Sequence, residues 1–178
     1  RGLVLERVAS SYVEDRAALR FEGIRGCVAE DVDVRDSFFG IYLAKSAGCP
    51  LYIPHITIAE GVDIVAEAVA AGVQVIGETC PQYLTHSNDA PPLVVLEHPA
   101  CANVNPPLRD KASNERLWEG LAQGIIKCVG SDLAPTTLAM KGDNIWDAPM
   151  GLGNNSELLL PVLLSEGVNK GRLLMEKI

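Results

Sequence analysis

Residues 103–135, NVNPPLRDKASNERLWEGLAQGIIKCVGSDLAP, set a rigid turn, an amphipathic helix, a short apolar strand and a carboxylate in that order. That is the order of a β/α repeat. Neither Pro106 nor Pro107 offers an N–H, and each biases the residue before it toward extended backbone, so the helix must begin later. Ser113 is the expected N-cap; Leu117, Trp118 and Leu121 follow at helical spacing, and Gly124 stops the run. Residues 125–129 are short, apolar and rich in β-branched side chains, which suits a strand buried on both faces of a parallel sheet. The strand ends in Gly130-Ser131-Asp132. Position alone leaves two readings of Asp132: a cap in a loop, or a group at the strand end where α/β barrels place their chemistry.

The same grammar extends on both sides. Residues 3–5 read as a strand, 12–21 and 34–47 as amphipathic helices, and 51–56 as a strand with Pro54 near its end. A helix is expected over 57–71, with Val62, Val65, Ala66 and Val69 as its buried stripe, then a strand over 73–76. Residues 85–100 and 136–146 read as loops. A helix over 157–164 must hold Pro161 in its first turns, and the last residues, SEGVNKGRLLMEKI, read as the start of another helix. Four strands alternating with helices imply a parallel sheet with right-handed crossovers. A complete (β/α)8 TIM barrel takes about 250 residues, so the expectation is an α/β fold comprising about its C-terminal half, with residues 1–178 as one partial barrel domain. An open, doubly wound sheet is the alternative, disfavoured because the G-x-G-x-x-G turn is absent. A first strand without an initiator methionine suggests a chain that begins within a fold.

Composition narrows the function classes. The 15 basic and 23 acidic residues give a net charge of -8 with no basic run, which argues against nucleic acid as a partner. No run of about 18 apolar residues predicts a membrane span. The five cysteines (Cys27, Cys49, Cys80, Cys101, Cys128) are odd in number and lack C-x-x-C spacing, so neither a disulfide framework nor a zinc knuckle is expected, and a cytoplasmic, reducing setting is the simplest inference. Cys128 falls in the buried-strand pattern, where a thiol acts as a small hydrophobe.

His55 closes one expected strand and Asp132 another, and both offer donors to a divalent metal. A strand-end histidine also serves as a hydrogen-bonded structural residue, and two donors alone do not specify a metal. His86 and His98 fall in the expected polar loop and read as solvated. Glu78 is either an orienting partner for a ligand or a salt-bridge or helix-capping residue. Cys80 lacks an identifiable base and reads as packing. Arg109 suits an anion through its planar fork, against an ion pair with Asp110 or Glu115, which is preferred.

Four blocks in order, GETCPQYL (77–84), NPPLRDK (105–111), LWEGLAQGIIKCVGSDLAP (117–135) and LPVLLSEGVNKGRL (160–173), with LYIPHIT before them, closely resemble the hydantoinase and dihydropyrimidinase family of the amidohydrolase superfamily. The resemblance implies a (β/α)8 barrel with a binuclear zinc centre that hydrolyses cyclic amides. It implies that His55 and Asp132 are metal ligands at the ends of strands six and eight, that Asp132 is also the catalytic proton shuttle, and that Asn105 binds substrate through its backbone.

The departures are specific. The family's H-x-H pair and carboxylated lysine would precede residue 1, the strand-five histidine has only Glu6 or Arg7 near its place, and Leu133 stands where the family has a histidine. The second substrate-contacting residue near 151–155 has no clear counterpart. The resemblance therefore implies a fragment or degenerate member that binds zinc poorly in isolation, acts by descent on a small cyclic amide, and self-associates or pairs with the missing half of its barrel. A non-catalytic scaffold protein of the same family is the alternative.

Overall fold

The computed structural model describes residues 39–89, 102–142, 148–151 and 155–178. The expected strand at 3–5, the helix at 12–21, His98 and the start of the helix at 34–47 lie outside the described residues. Within them the chain runs α1 (Phe39–Ala47), β1 (Leu51–Ile53), α2 (Ala59–Ala70), β2 (Val75–Thr79), α3 (Pro81–Thr85), α4 (Lys111–Gln123), β3 (Ile126–Val129), α5 (Leu138–Lys141) and α6 (Asn155–Val162). The three strands form one sheet in the order β1-β2-β3, both pairs parallel. The parallel α/β fold expected from the alternation is thus present.

Helices α2 and α4 cover one face of this sheet. Val62 and Val65 from α2, Leu117 and Trp118 from α4, and Val75 and Ile126 from the strands are all buried there. Burying an aliphatic or aromatic side chain of this size contributes about 1.5–3 kcal/mol. Close approach needs small residues at two points: a Cβ on Gly120 would meet Val62 Cγ1 at 2.8 Å, and one on Gly77 would meet Ile56 Cδ1 at 2.9 Å. The buried stripe of α2 is Val62, Val65 and Ala68, with Val69 43% exposed. The expected stripe of Val62, Val65, Ala66 and Val69 is therefore corrected toward the face that meets α4.

Strand β3 is not buried on both faces among the described residues. Lys127 is exposed, and the sheet face away from α2 and α4 carries Tyr52, Ile76, Glu78 and Cys128. Strand β2 begins later than expected and extends through Gly77, Glu78 and Thr79, which alternate in burial as a half-covered strand should.

Helix α4 starts at Lys111 because Asp110, not Ser113, is its N-cap; the Asp110 carboxylate accepts from the Ser113 N–H at 2.9 Å. Ser113 instead takes the Ala59 N–H on its Oγ. Gly124 ends the helix in the left-handed region at φ 73, as the sequence requires. Residues 81–85, expected to lead into a loop, form α3, with Pro81 in its first turn. Pro161 lies near the end of α6 rather than in its first turns, and a π-helical segment, Leu163–Val168, follows it. The last residues form only a short 3-10 turn, Met175–Lys177.

Candidate functional site at the strand ends

The segments leaving β1, β2 and β3 converge at one end of the sheet. After β1 the backbone turns at His55 with φ 57, and the Ile56 N–H then donates to the Glu78 carbonyl at 2.7 Å. The Thr79 hydroxyl, fully buried, donates to the Ile56 carbonyl at 2.8 Å. After β3 the Gly130 N–H donates to the Thr79 carbonyl, and the chain turns at Asp132 with φ 47. His55 and Asp132 are the two non-glycine residues with positive φ among the described residues. Left-handed backbone costs about 1–2 kcal/mol per residue, less for short polar side chains such as aspartate. Spending it on these two side chains aims both into the same space.

His55 and Asp132 meet. The His55 Nε2 lies 3.7 Å from Asp132 Oδ1, both side chains partly accessible. The other ring nitrogen, Nδ1, is 3.1 Å from Glu78 Oε1 and 3.1 Å from Cys80 Sγ. Glu78 Oε2 accepts the Tyr52 hydroxyl proton, and Cys128 Sγ lies 3.7 Å from the same hydroxyl. Hydrogen bonding to Glu78, then burial, pushes the Tyr52 phenol well above its usual range, so it stays a donor. Burial pushes the Cys80 thiol far up as well, with the Glu78 and Asp132 charges adding to it. Cys80 is a neutral, buried thiol, in keeping with packing and against a nucleophilic role.

The remaining oxygen of Asp132 is held from below. Gln82 Nε2 donates to Asp132 Oδ2 at 3.2 Å, and Asn155 Nδ2 donates to Gln82 Oε1 at 2.9 Å. Gln82 and Asn155 are both buried. Helix α3, which carries Gln82, is fixed by α4: Asn114 Nδ2 donates to the carbonyls of Tyr83 and His86, and Trp118 Nε1 to that of Leu84. These donors occupy carbonyls that the end of a short helix leaves open.

The other candidates separate. Asn105 is exposed beside a cis bond to Pro106 and makes no hydrogen bond to His55 or Asp132 among the described residues. Arg109 Nε donates to Thr57 Oγ1 at 3.5 Å, whereas Asp110 caps α4 and Glu115 pairs with Arg172, so neither preferred ion-pair partner is used. His86 is not a solvated loop residue: it follows α3 directly, Thr85 Oγ1 lies 2.7 Å from its Nδ1, and burial lowers its pKa. Gln82, Asn155 and Tyr52 carried no signal of their own. Gln82 and Asn155 are 73 positions apart, and no local pattern pairs them.

Three side chains, His55, Glu78 and Cys80, place ligand atoms within 4.8 Å of one another. Glu78 and Cys80 both approach Nδ1, however, and a metal-bound imidazole presents one nitrogen to the metal while the other donates to a carboxylate or carbonyl. The pair Nε2 and Asp132 Oδ1 is the better fit. Two ligands on one tetrahedral zinc, each about 2.0–2.1 Å from it, stand about 3.4 Å apart. The observed 3.7 Å is close to that, and Glu78 on Nδ1 is the matching partner.

A parallel α/β sheet that brings a histidine after β1 and a carboxylate after β3 together at one end has donors that could hold a metal at its strand ends. No protein-family model matches the chain. It is 33% identical over 158 residues to the dihydroorotase of Carboxydothermus hydrogenoformans, covering 88% of this chain and 35% of that protein. It is 37% identical over 133 residues to the allantoinase of Salmonella paratyphi B, covering 73% and 28%. Among solved structures, the dihydropyrimidinase of Brevibacillus agri superposes with a TM-score of 0.68 at 36% identity, over 77% of this chain and 30% of that one. Hydantoinases superpose comparably. The chain is homologous to the hydantoinase and dihydropyrimidinase family of the amidohydrolase superfamily, a family of hydrolases. It spans about a third of the length of the relatives it matches.

Proposed function

We propose that this chain supplies part of the active site of a zinc-dependent hydrolase of cyclic amides, built as part of a (β/α)8 barrel. The observation that carries this is the approach of His55 Nε2 to Asp132 Oδ1 across the end of β2, both on left-handed backbone, one after β1 and one after β3. In this reading His55 and Asp132 are the metal ligands. Zinc held by them would supply a lowered pKa for water and polarisation of the ring carbonyl. Asp132 takes the proton of the attacking water on its carboxylate as the new C–O bond forms and the carbonyl π pair moves to oxygen, then delivers that proton to the ring nitrogen as the carbonyl re-forms and the ring C–N bond breaks. Gln82 holds the second Asp132 oxygen by its Nε2–H, which fixes the carboxylate plane without neutralising it. Asn105 binds the ring through its backbone from the exposed segment before Pro106. The substrate is a small cyclic amide, in a cytoplasmic setting, and the working form is oligomeric. No described helix is long and apolar enough to cross a membrane.

One observation favours the non-catalytic scaffold. Leu133, 47% exposed beside Asp132, offers no donor at the position where the family has a histidine. Zinc content and turnover of hydantoin, dihydrouracil, dihydroorotate and allantoin by the full-length protein separate the two. The enzyme reading expects turnover of at least one, a fall of about 10²–10⁴-fold in kcat for Asp132→Asn, and zinc loss in His55→Ala. Zinc-loaded protein that turns over none of the four leaves the scaffold.

A further inference from the structure

We propose that Glu78 is the positioning residue for His55, and that Tyr52, Gly130 and a register shift in the sheet are built to hold it there; this rests on the reading of His55 as a metal ligand. Four independent features converge on one carboxylate. Oε1 stands 3.1 Å from His55 Nδ1. Oε2 accepts the hydroxyl proton of Tyr52, from the neighbouring strand. Gly130 lies against the same group: a Cβ there would fall 2.5 Å from Oε2 and 2.8 Å from Oε1. Gly130 is not among the glycines with positive φ, so what its missing side chain provides is room. Finally, Gly77 pairs with Ile126 and Glu78 with Cys128, which skips Lys127 and shifts the register between Gly77 and Glu78. Bulges of this kind re-aim a side chain beside a site.

The consequence is a choice of tautomer. With both carboxylate oxygens engaged, Oε1 accepts the Nδ1 proton, and the Nε2 lone pair is left facing Asp132. Cys80 competes for Nδ1 at the same 3.1 Å, but a thiol is a weak partner beside a carboxylate. Without Glu78 the ring is free to place its proton on Nε2, and the metal position loses its ligand.

The test is the ¹⁵N spectrum of the histidine rings in the metal-free chain, with the His55 signal identified by its loss in His55→Gln. Wild type is expected to show the Nδ1–H tautomer. Glu78→Gln keeps it, because the amide oxygen still accepts. Glu78→Leu and Gly130→Ala shift the ring toward Nε2–H, and Tyr52→Phe shifts it partway. In the full-length protein, cobalt affinity falls about 10–100-fold in Glu78→Leu and Gly130→Ala. A folded Gly130→Ala or Glu78→Leu that retains the wild-type tautomer overturns the inference. If the full-length wild-type protein takes up no cobalt at His55, the metal reading fails by itself, and the tautomer shift still decides the role of Glu78.

Discussion

Gln82 acts on the site through its hold on the Asp132 carboxylate. Its amide accepts from buried Asn155 and donates to Asp132, so its removal strands a buried donor on Asn155. Leaving such a group unsatisfied costs about 1–3 kcal/mol. Gln82→Leu is therefore expected to destabilise the fold by about that much in urea titration, while Gln82→Glu brings a second carboxylate to Asp132 and weakens it further. A variant as stable as wild type would show the chain Asn155–Gln82–Asp132 to be incidental. His86 gives a second residue-scale expectation. Burial lowers its pKa from 6.5, so below that value the unfolded chain binds more protons than the folded one. The stability that neutral His86 contributes is present above 6.5 and is lost as pH falls from there toward the lowered folded value. His86→Gln should flatten the stability curve across that window, and an unchanged curve would refute the burial argument. What sequence revealed here was unequal. His55 and Asp132 were marked by strand-end position and by the blocks around them, whereas Tyr52, Gln82 and Asn155 act through partners 26, 50 and 73 positions away.

At the scale of elements, α4 is where local rules and packing meet. Hydrogen bonds from Ser113, its hydroxyl first and then its backbone N–H, hold the Asp110 carboxyl below its ordinary 3.8. That capping contribution is present above 3.8 and is lost as pH falls from there toward the lowered folded value. Asp110→Ala should lower the thermal midpoint at neutral pH and remove the corresponding acid-limb slope; Asp110→Asn should keep most of the midpoint. On the opposite side of the helix, Gly120 meets α2. Glycine to alanine inside a helix gains about 1 kcal/mol in propensity. Here the added Cβ falls 2.8 Å from Val62 Cγ1 and 3.1 Å from Ile126 Cγ1, both on stiff β-branched side chains. Overpacking of this kind costs about 1–3 kcal/mol, so Gly120→Ala is expected to be net destabilising, and Val62→Ala in the same chain should recover part of the loss. A stabilised single variant would mean that the two helices separate freely. The helix itself was legible from Leu117, Trp118 and Gly124, but its start was not: Asp110 and Ser113 are both good caps, and the bond that the Ser113 N–H donates to the Asp110 carboxylate decides in favour of the earlier one. The stripe of α2 was off by a residue for the same kind of reason, since which valine is buried depends on where α4 crosses it.

For the molecule as a whole, the sheet is covered on one side only among the described residues. Tyr52 and Ile76, neighbours in register on adjacent strands, are 49% and 42% exposed, and β1 and β3 are both edges of the three-stranded order. An exposed apolar sheet face with open edges is a template for pairing. The alternation of strands and helices made the parallel sheet legible in advance, but whether its second face is covered depends on elements that no local pattern supplies. The chain is accordingly expected to self-associate, with sedimentation velocity showing a mass that rises with concentration. Ile76 is the position to test, because Tyr52 also holds Glu78 and its replacement would disturb the site. Burying a side chain such as isoleucine is worth about 1.5–3 kcal/mol, so Ile76→Lys should weaken association by about 10–100-fold while the circular dichroism spectrum stays unchanged. Wild-type protein that sediments as a single monomer at every concentration would show that this face is satisfied within one chain.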